Sequence, residues 1–128
     1  MTQDEPISIT AEQFTAAMEA AVADKGEEYV YPFESPQRGG CFYRDGDTPL
    51  CIVGDALSRI LTPDQFRGLV PDRHNDAAGP TALGLLTRKY FNVDYRVISA
   101  AQSAQGAQDD GLTWGEALRK YKRNLGVA

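Results

Sequence analysis

Few residues in this 128-residue chain could do covalent chemistry. It has two cysteines, Cys41 and Cys51, and a single histidine, His74, followed by Asn75 and Asp76. A thiol, an imidazole and a carboxylate or amide are what a nucleophile, its base and the base's orienting partner require. If the protein is a thiol-dependent enzyme or redox protein, Cys51, His74 and Asp76 are therefore the catalytic candidates. Cys51 stands at or just before a strand-to-helix junction, where unsatisfied amides and the helix dipole would favour the thiolate. The plainer reading makes Cys51 a small buried apolar residue and His74-Asn75-Asp76 a piece of loop surface. Any small domain with this cysteine and histidine count supplies such a trio.

Metal is the second possibility. Cys41, Cys51 and His74 with one aspartate could give zinc four ligands, but structural zinc sites carry tight C-x₂₋₄-C knuckles and these cysteines stand ten apart. A disulfide between them needs one hairpin register in particular and an oxidising compartment. Gly39-Gly40 and Gly54 fit neither phosphate-binding fingerprint, G-x-x-x-x-G-K-[ST] or G-x-G-x-x-G. Gly54 more simply lets the chain turn sharply from strand to helix. No cofactor is implied.

Contact chemistry has two candidate surfaces. Arg119-Lys120-Tyr121-Lys122-Arg123 is a basic stretch on the last helix. Arg119, Lys120, Lys122 and Arg123 either form a solvated face that complements the helix C-terminus or meet an acidic partner or a phosphate backbone. Tyr29, Tyr31 and Tyr43, with Phe33 and Phe42, cluster around the expected strands; they are core, or they form a binding surface of the aromatic kind common at interfaces.

The elements that must position these groups centre on residues 41–60. Two short apolar runs flank the turn cluster Asp45-Gly46-Asp47, and the second passes through Gly54 into a helical pattern. The spacing predicts a β-hairpin feeding a helix over about 54–61. A three-residue loop would set Cys41 opposite Cys51 and a two-residue loop would set it opposite Leu50. Before this hub, Thr10 and Gln13 make a capping box with Ile9 and Phe14 as a staple. Phe14, Ala17, Met18, Ala21 and Val22 then recur at helical spacing up to Gly26. Tyr29-Val30-Tyr31-Pro32 reads as a strand halted by proline. After the hub, Thr62-Pro63-Asp64-Gln65 opens a short helix through Phe66, Leu69 and Val70. Residues 71–80 form a polar loop and 81–90 a helix. Phe91-Asn92-Val93 is a break or a brief extended piece. Asp94 caps a helix with Val97, Ile98, Ala101 and Gln105 inward. Thr113 and Glu116 box a last helix carrying Trp114, Ala117, Leu118 and Tyr121, with Trp114 as its anchor.

The chain is one domain's length, with residues 1–8 a flexible leader and 9–128 a single α+β domain. Its expected architecture is five or six helices around a small antiparallel hairpin or three-stranded sheet. The net charge of −5 covers an asymmetry: residues 1–64 hold 12 acids and 4 bases, residues 65–128 hold 6 acids and 9 bases. That lacks the basic excess typical of nucleic-acid binders. No apolar run approaches the roughly 20 residues of a membrane span, and the acidic start is the wrong flank for a secretion signal. A cytoplasmic protein with reduced thiols and no membrane partner is expected.

Cys51-Ile52-Val53-Gly54-Asp55-Ala56-Leu57 and the segment from Gln108-Asp109-Asp110-Gly111 through Trp114 to Ala117-Leu118 resemble small uncharacterised proteins of actinobacteria and their phages. These share C-[ILA]-[VIL]-G-x-A-L and Q-D-x-G-x-x-W-x-x-A-L segments, often with an upstream C-x-Y like Cys41-Phe42-Tyr43. The likeness spans roughly residues 29–118. It implies a provenance and a small accessory role on a host component, not an activity, and it carries no catalytic residue across. The expectation is a non-enzymatic accessory protein working by protein–protein contact. The alternatives are a thiol-dependent protein using Cys51 with His74, and nucleic-acid binding by the basic C-terminal helix.

Overall fold

A computed structural model describes residues 6–31, 44–45, 48–67 and 91–126. Its elements in order are β1 (Ile7–Ile9), α1 (Ala11–Lys25), β2 (Arg44–Asp45), β3 (Thr48–Pro49), α2 (Ile52–Ile60), α3 (Pro63–Arg67), β4 (Phe91–Val93), α4 (Tyr95–Asp109) and α5 (Trp114–Leu125).

Local chemistry sets most helix ends. Thr10 Oγ1 accepts the Gln13 amide at 3.0 Å while Gln13 Oε1 accepts the Thr10 amide at 2.8 Å, so two otherwise orphaned donors are satisfied reciprocally. The same box starts α3 at Thr62 and Gln65 and α5 at Thr113 and Glu116. Asp94 caps α4 by accepting the Arg96 amide at 2.8 Å. That bond and the Arg96 side chain hold the Asp94 carboxyl below the usual carboxylate range. Helix α1 stops at Gly26, whose φ of 97° suits glycine.

Four helices close a ring: α1 packs on α2, α2 on α4, α4 on α5, and α5 back on α1. The core inside is Phe14, Met18 and Val22 from α1, Ile52, Val53 and Leu57 from α2, Val97 and Ile98 from α4, and Trp114 and Tyr121 from α5. Phe14 stacks on Tyr121 with ring centroids 5.9 Å apart. Each large apolar side chain so buried contributes about 1.5–3 kcal/mol. The expected inward face of α1 is buried, as are Trp114, Ala117 and Tyr121 of α5 with Leu118 half-buried beside them, and Gln105 of α4 is inward as expected. Within the expected hub, Cys51 to Leu57 are buried without a break.

The strands differ from expectation. Ile7 and Ser8, expected in the flexible leader, form a strand with Ile9 that pairs in parallel with Phe91-Asn92-Val93, Ile7 against Phe91 and Ile9 against Val93. Both stretches alternate apolar and polar, but a parallel partner 84 positions away leaves no local trace. Among the described residues this pair and the antiparallel β2–β3 pair are separate two-stranded sheets, so the three-stranded antiparallel sheet is not formed there. In the hairpin Asp45 pairs with Thr48 and Arg44 with Pro49. Arg44 faces Pro49 rather than Thr48, so the register is neither of the two expected.

Tyr29–Tyr31 is not a strand either. Its neighbourhood spends its carbonyls on a helix end instead: Tyr29 O accepts the Trp114 amide at 2.8 Å and Glu27 O the Gly115 amide at 3.0 Å. Gly54 marks no sharp turn; it lies inside α2, and the positive-φ glycines described are Gly26, Gly111 and Gly126. The expected helix over 81–90 and loop over 71–80 lie outside the described residues.

Candidate functional site

Two places bring together groups capable of chemistry. The first is the N-terminus of α2. Cys51 is its N-cap, in extended conformation, and its Sγ accepts the Gly54 amide at 3.4 Å. The thiol is a free cysteine with 0% exposure. The next donor, the Ile52 amide, is met from across the fold: Gln108 of α4, itself 0% exposed, places Oε1 at 2.8 Å. The other end of that amide group donates to Asp109 Oδ1 at 3.1 Å. Packed atoms around the Asp109 carboxyl push its pKa up, against the opposing pull of the Gln108 bond. The segments Cys51–Leu57 and Gln108–Leu118 therefore touch at a buried hydrogen-bonded node.

One turn further along α2, the carboxylate of Asp55 is almost wholly buried, and Oδ1 accepts from Arg59 Nε at 2.8 Å. Arg59 also reaches Asp24 of α1 at 3.3 Å. A buried charge of this kind needs its partner to be tolerated, and here the pair ties α2 to α1. The node holds a thiol, an amide and carboxylates, but the thiol is enclosed and already accepting a hydrogen bond. That is the geometry of a helix cap, which an attacking thiolate would have to leave.

His74, Asp76 and Cys41 lie outside the described residues, and so does Tyr43. Among the described residues no cluster of His, Cys, Asp and Glu could hold a metal ion. Gln108 and Asp109 were not singled out as site residues from the sequence. The signal was present: Ala101, Gln105 and Gln108 recur at helical spacing, so Gln108 had to face inward, and a buried amide needs a partner.

The second place is the face where α4 and α5 run antiparallel. The four cations of α5 divide into two sets. Lys122 pairs with Glu19 at 2.7 Å and Arg119 approaches Glu27 at 4.0 Å, both toward α1 and the turn after it. Lys120 and Arg123, three apart and so on one side of the helix, form no ion pair among the described residues. They border a cleft of about 410 Å³ whose walls include Ser103, Gly106, Asp110 and Asn124. Asn124 is fixed there, its Nδ2 donating to Ser103 Oγ at 2.8 Å and its Oδ1 accepting from Ser99 Oγ at 3.3 Å.

Of the aromatic contact candidates, Tyr31 is buried. Tyr29 meets the Trp114 ring edge-on at 4.7 Å, and Lys25 Nζ lies over the Tyr29 ring at 5.1 Å. Both rings serve the fold. The exposed large apolar side chains described are Val30 and Tyr95, neither of them expected as contact residues. Trp114 is the anchor of α5, with 0% exposure. No family model, curated protein or solved structure matches this chain, and no helix among the described residues is long and apolar enough to cross a membrane.

Proposed function

We propose that this protein acts by binding another protein through the α4–α5 face, without thiol chemistry. One observation carries the reading: on a helix whose other cations are matched, Lys120 and Arg123 have no ion-pair partner among the described residues and stand beside an open cleft. Unmatched charge at a concave surface is what a complementary partner would neutralise. The enclosed, hydrogen-bonded Cys51 supports the second half, since a nucleophilic thiol must reach its substrate. The resemblance of the Cys51–Leu57 and Gln108–Leu118 segments to small actinobacterial and phage proteins supports an accessory role directed at a host component. Two cations of α5 without partners among the described residues, in a chain of net charge −5, give little support to nucleic-acid binding by that helix, where several phosphates are neutralised together.

The test is cross-linking of the tagged full chain in its producing cells. A cross-linked species is expected that persists in Cys51→Ser and is lost in Lys120→Glu/Arg123→Glu, with the circular dichroism of all three proteins alike. In a Cys41→Ser background, Cys51 is expected to alkylate at least about a thousandfold more slowly in native buffer than in guanidinium, because exposure requires opening of the core. A cross-link indifferent to the charge reversal, or native alkylation near the unfolded rate, would overturn the proposal.

A further inference from the structure

The geometry points to the α4–α5 cleft as a binding site for an acidic peptide segment, held by its side-chain carboxylates on Lys120 and Arg123; this rests on the protein-contact reading above. Three features converge there. The first is charge: Lys120 and Arg123 lie on one side of α5, and among the described residues no acid pairs with either. The second is a fixed polar wall. Asn124 is locked between Ser99 and Ser103, and because Ser103 Oγ accepts the Asn124 amide its hydroxyl hydrogen remains available to donate into the cleft.

The third is Gly106. It sits inside α4, where glycine is among the worst helix formers. It does not have the positive φ that would require glycine, and a Cβ built there would meet nothing within 4 Å. Neither backbone conformation nor close packing explains a side-chain-free position, and the open space over it is the cleft itself. Its effect is to keep the floor low enough for a chain to lie along it.

The arrangement also selects orientation. Because α4 and α5 are antiparallel, Ser103 and Asn124 mark one end of the cleft with Arg123, Lys120 stands near the middle opposite Gly106, and Asp110 marks the other end. Carboxylates favour the end with the cations, while Asp110 disfavours them and accepts a backbone amide hydrogen instead. A compact dianion such as phosphate gains from the two cations but not from the length of the cleft.

The experiment is an amide chemical-shift titration of the full-length ¹⁵N-labelled protein with end-blocked tetraglutamate, and separately with inorganic phosphate. Tetraglutamate should saturably shift residues 103, 106, 120, 123 and 124, more weakly as salt is raised, with phosphate at least about tenfold weaker. Lys120→Glu/Arg123→Glu should weaken peptide binding about tenfold or more. Gly106→Leu should abolish it while leaving the melting temperature equal or higher, since leucine favours the helix and fills only open space. Shifts elsewhere, none at all, phosphate binding as tightly as the peptide, or variants that bind like the parent would each overturn the assignment. A failed titration beside an intact Lys120/Arg123-dependent cross-link would remove the cleft's ligand and leave the contact reading standing. Peptide binding without such a cross-link would do the reverse.

Discussion

At Gln108 a single side chain decides whether a helix start far away in sequence is satisfied. Its Oε1 is the acceptor for the buried Ile52 amide and its Nε2 donates to Asp109. Replacing it by leucine keeps the size but leaves that amide without an acceptor, and an unsatisfied buried donor costs about 1–3 kcal/mol. Gln108→Leu is accordingly expected to unfold at lower urea concentration by that amount, with an unchanged denaturant slope. Gln108→Glu retains an acceptor oxygen and should lose less at acidic pH, where the buried carboxyl is neutral. Equal stability of the leucine variant and the parent would mean that water or another group serves the amide. Cys51 is the companion case, in which a residue with catalytic potential is used as a cap and its reactivity is enclosed.

Among the elements, α5 is held at its start and along its middle by different physics. Its first amides are taken by Thr113, Tyr29 and Glu27, and its middle by the Phe14–Tyr121 stack and the bond between Tyr121 OH and Thr15 Oγ1 at 2.9 Å. Burial of the phenol raises the Tyr121 pKa above its ordinary 10.0. The neutral phenol is the form the fold prefers. Its share of stability is therefore complete below the unfolded-state value near 10 and is lost as pH rises through the higher folded-state value. Tyr121→Phe should cost about 1 kcal/mol at neutral pH through the lost hydrogen bond. Its deficit should shrink in denaturant titrations above about pH 10, because phenylalanine cannot ionise. A deficit constant from pH 7 to 11 would show that the phenol does not titrate as a buried group.

Across the whole molecule, two strand–cap–helix units of equal size are joined through their strands. β1, Thr10 and the 15-residue α1 make one unit and β4, Asp94 and the 15-residue α4 the other, with β1 and β4 paired in parallel, and α2 and α5 complete the ring. Closure depends on a tight passage where Gly115 of α5 meets the turn after α1. A Cβ on Gly115 would stand 2.9 Å from both Cβ and the backbone oxygen of Glu27. That oxygen accepts the Gly115 amide, so it cannot retreat without breaking the bond. Gly115→Ala should lower stability by about 1–3 kcal/mol, the cost of overpacking. Gly106→Ala should raise it by somewhat under 1 kcal/mol, the helix-propensity gain. Thermal melts of the two alanine variants should thus move in opposite directions. A common direction would contradict the assignment of one glycine to packing and the other to an open cleft.

What the sequence determined by itself was the local part: Thr10–Gln13, Thr62–Gln65, Asp94 and Thr113–Glu116 start the helices, and the apolar positions of α1 and α5 face the core. These features follow from hydrogen bonds and periodicities that close within a few residues. The tertiary structure alone decided the parallel pairing of Ile7–Ile9 with Phe91–Val93, the hairpin register, the Tyr29 and Glu27 carbonyls on α5, and the Gln108 amide on α2. It also divided the basic stretch into paired Arg119 and Lys122 and, among the described residues, unpaired Lys120 and Arg123. Each of these joins groups far apart in the chain, and their pairing depends on which surfaces meet once the core has closed.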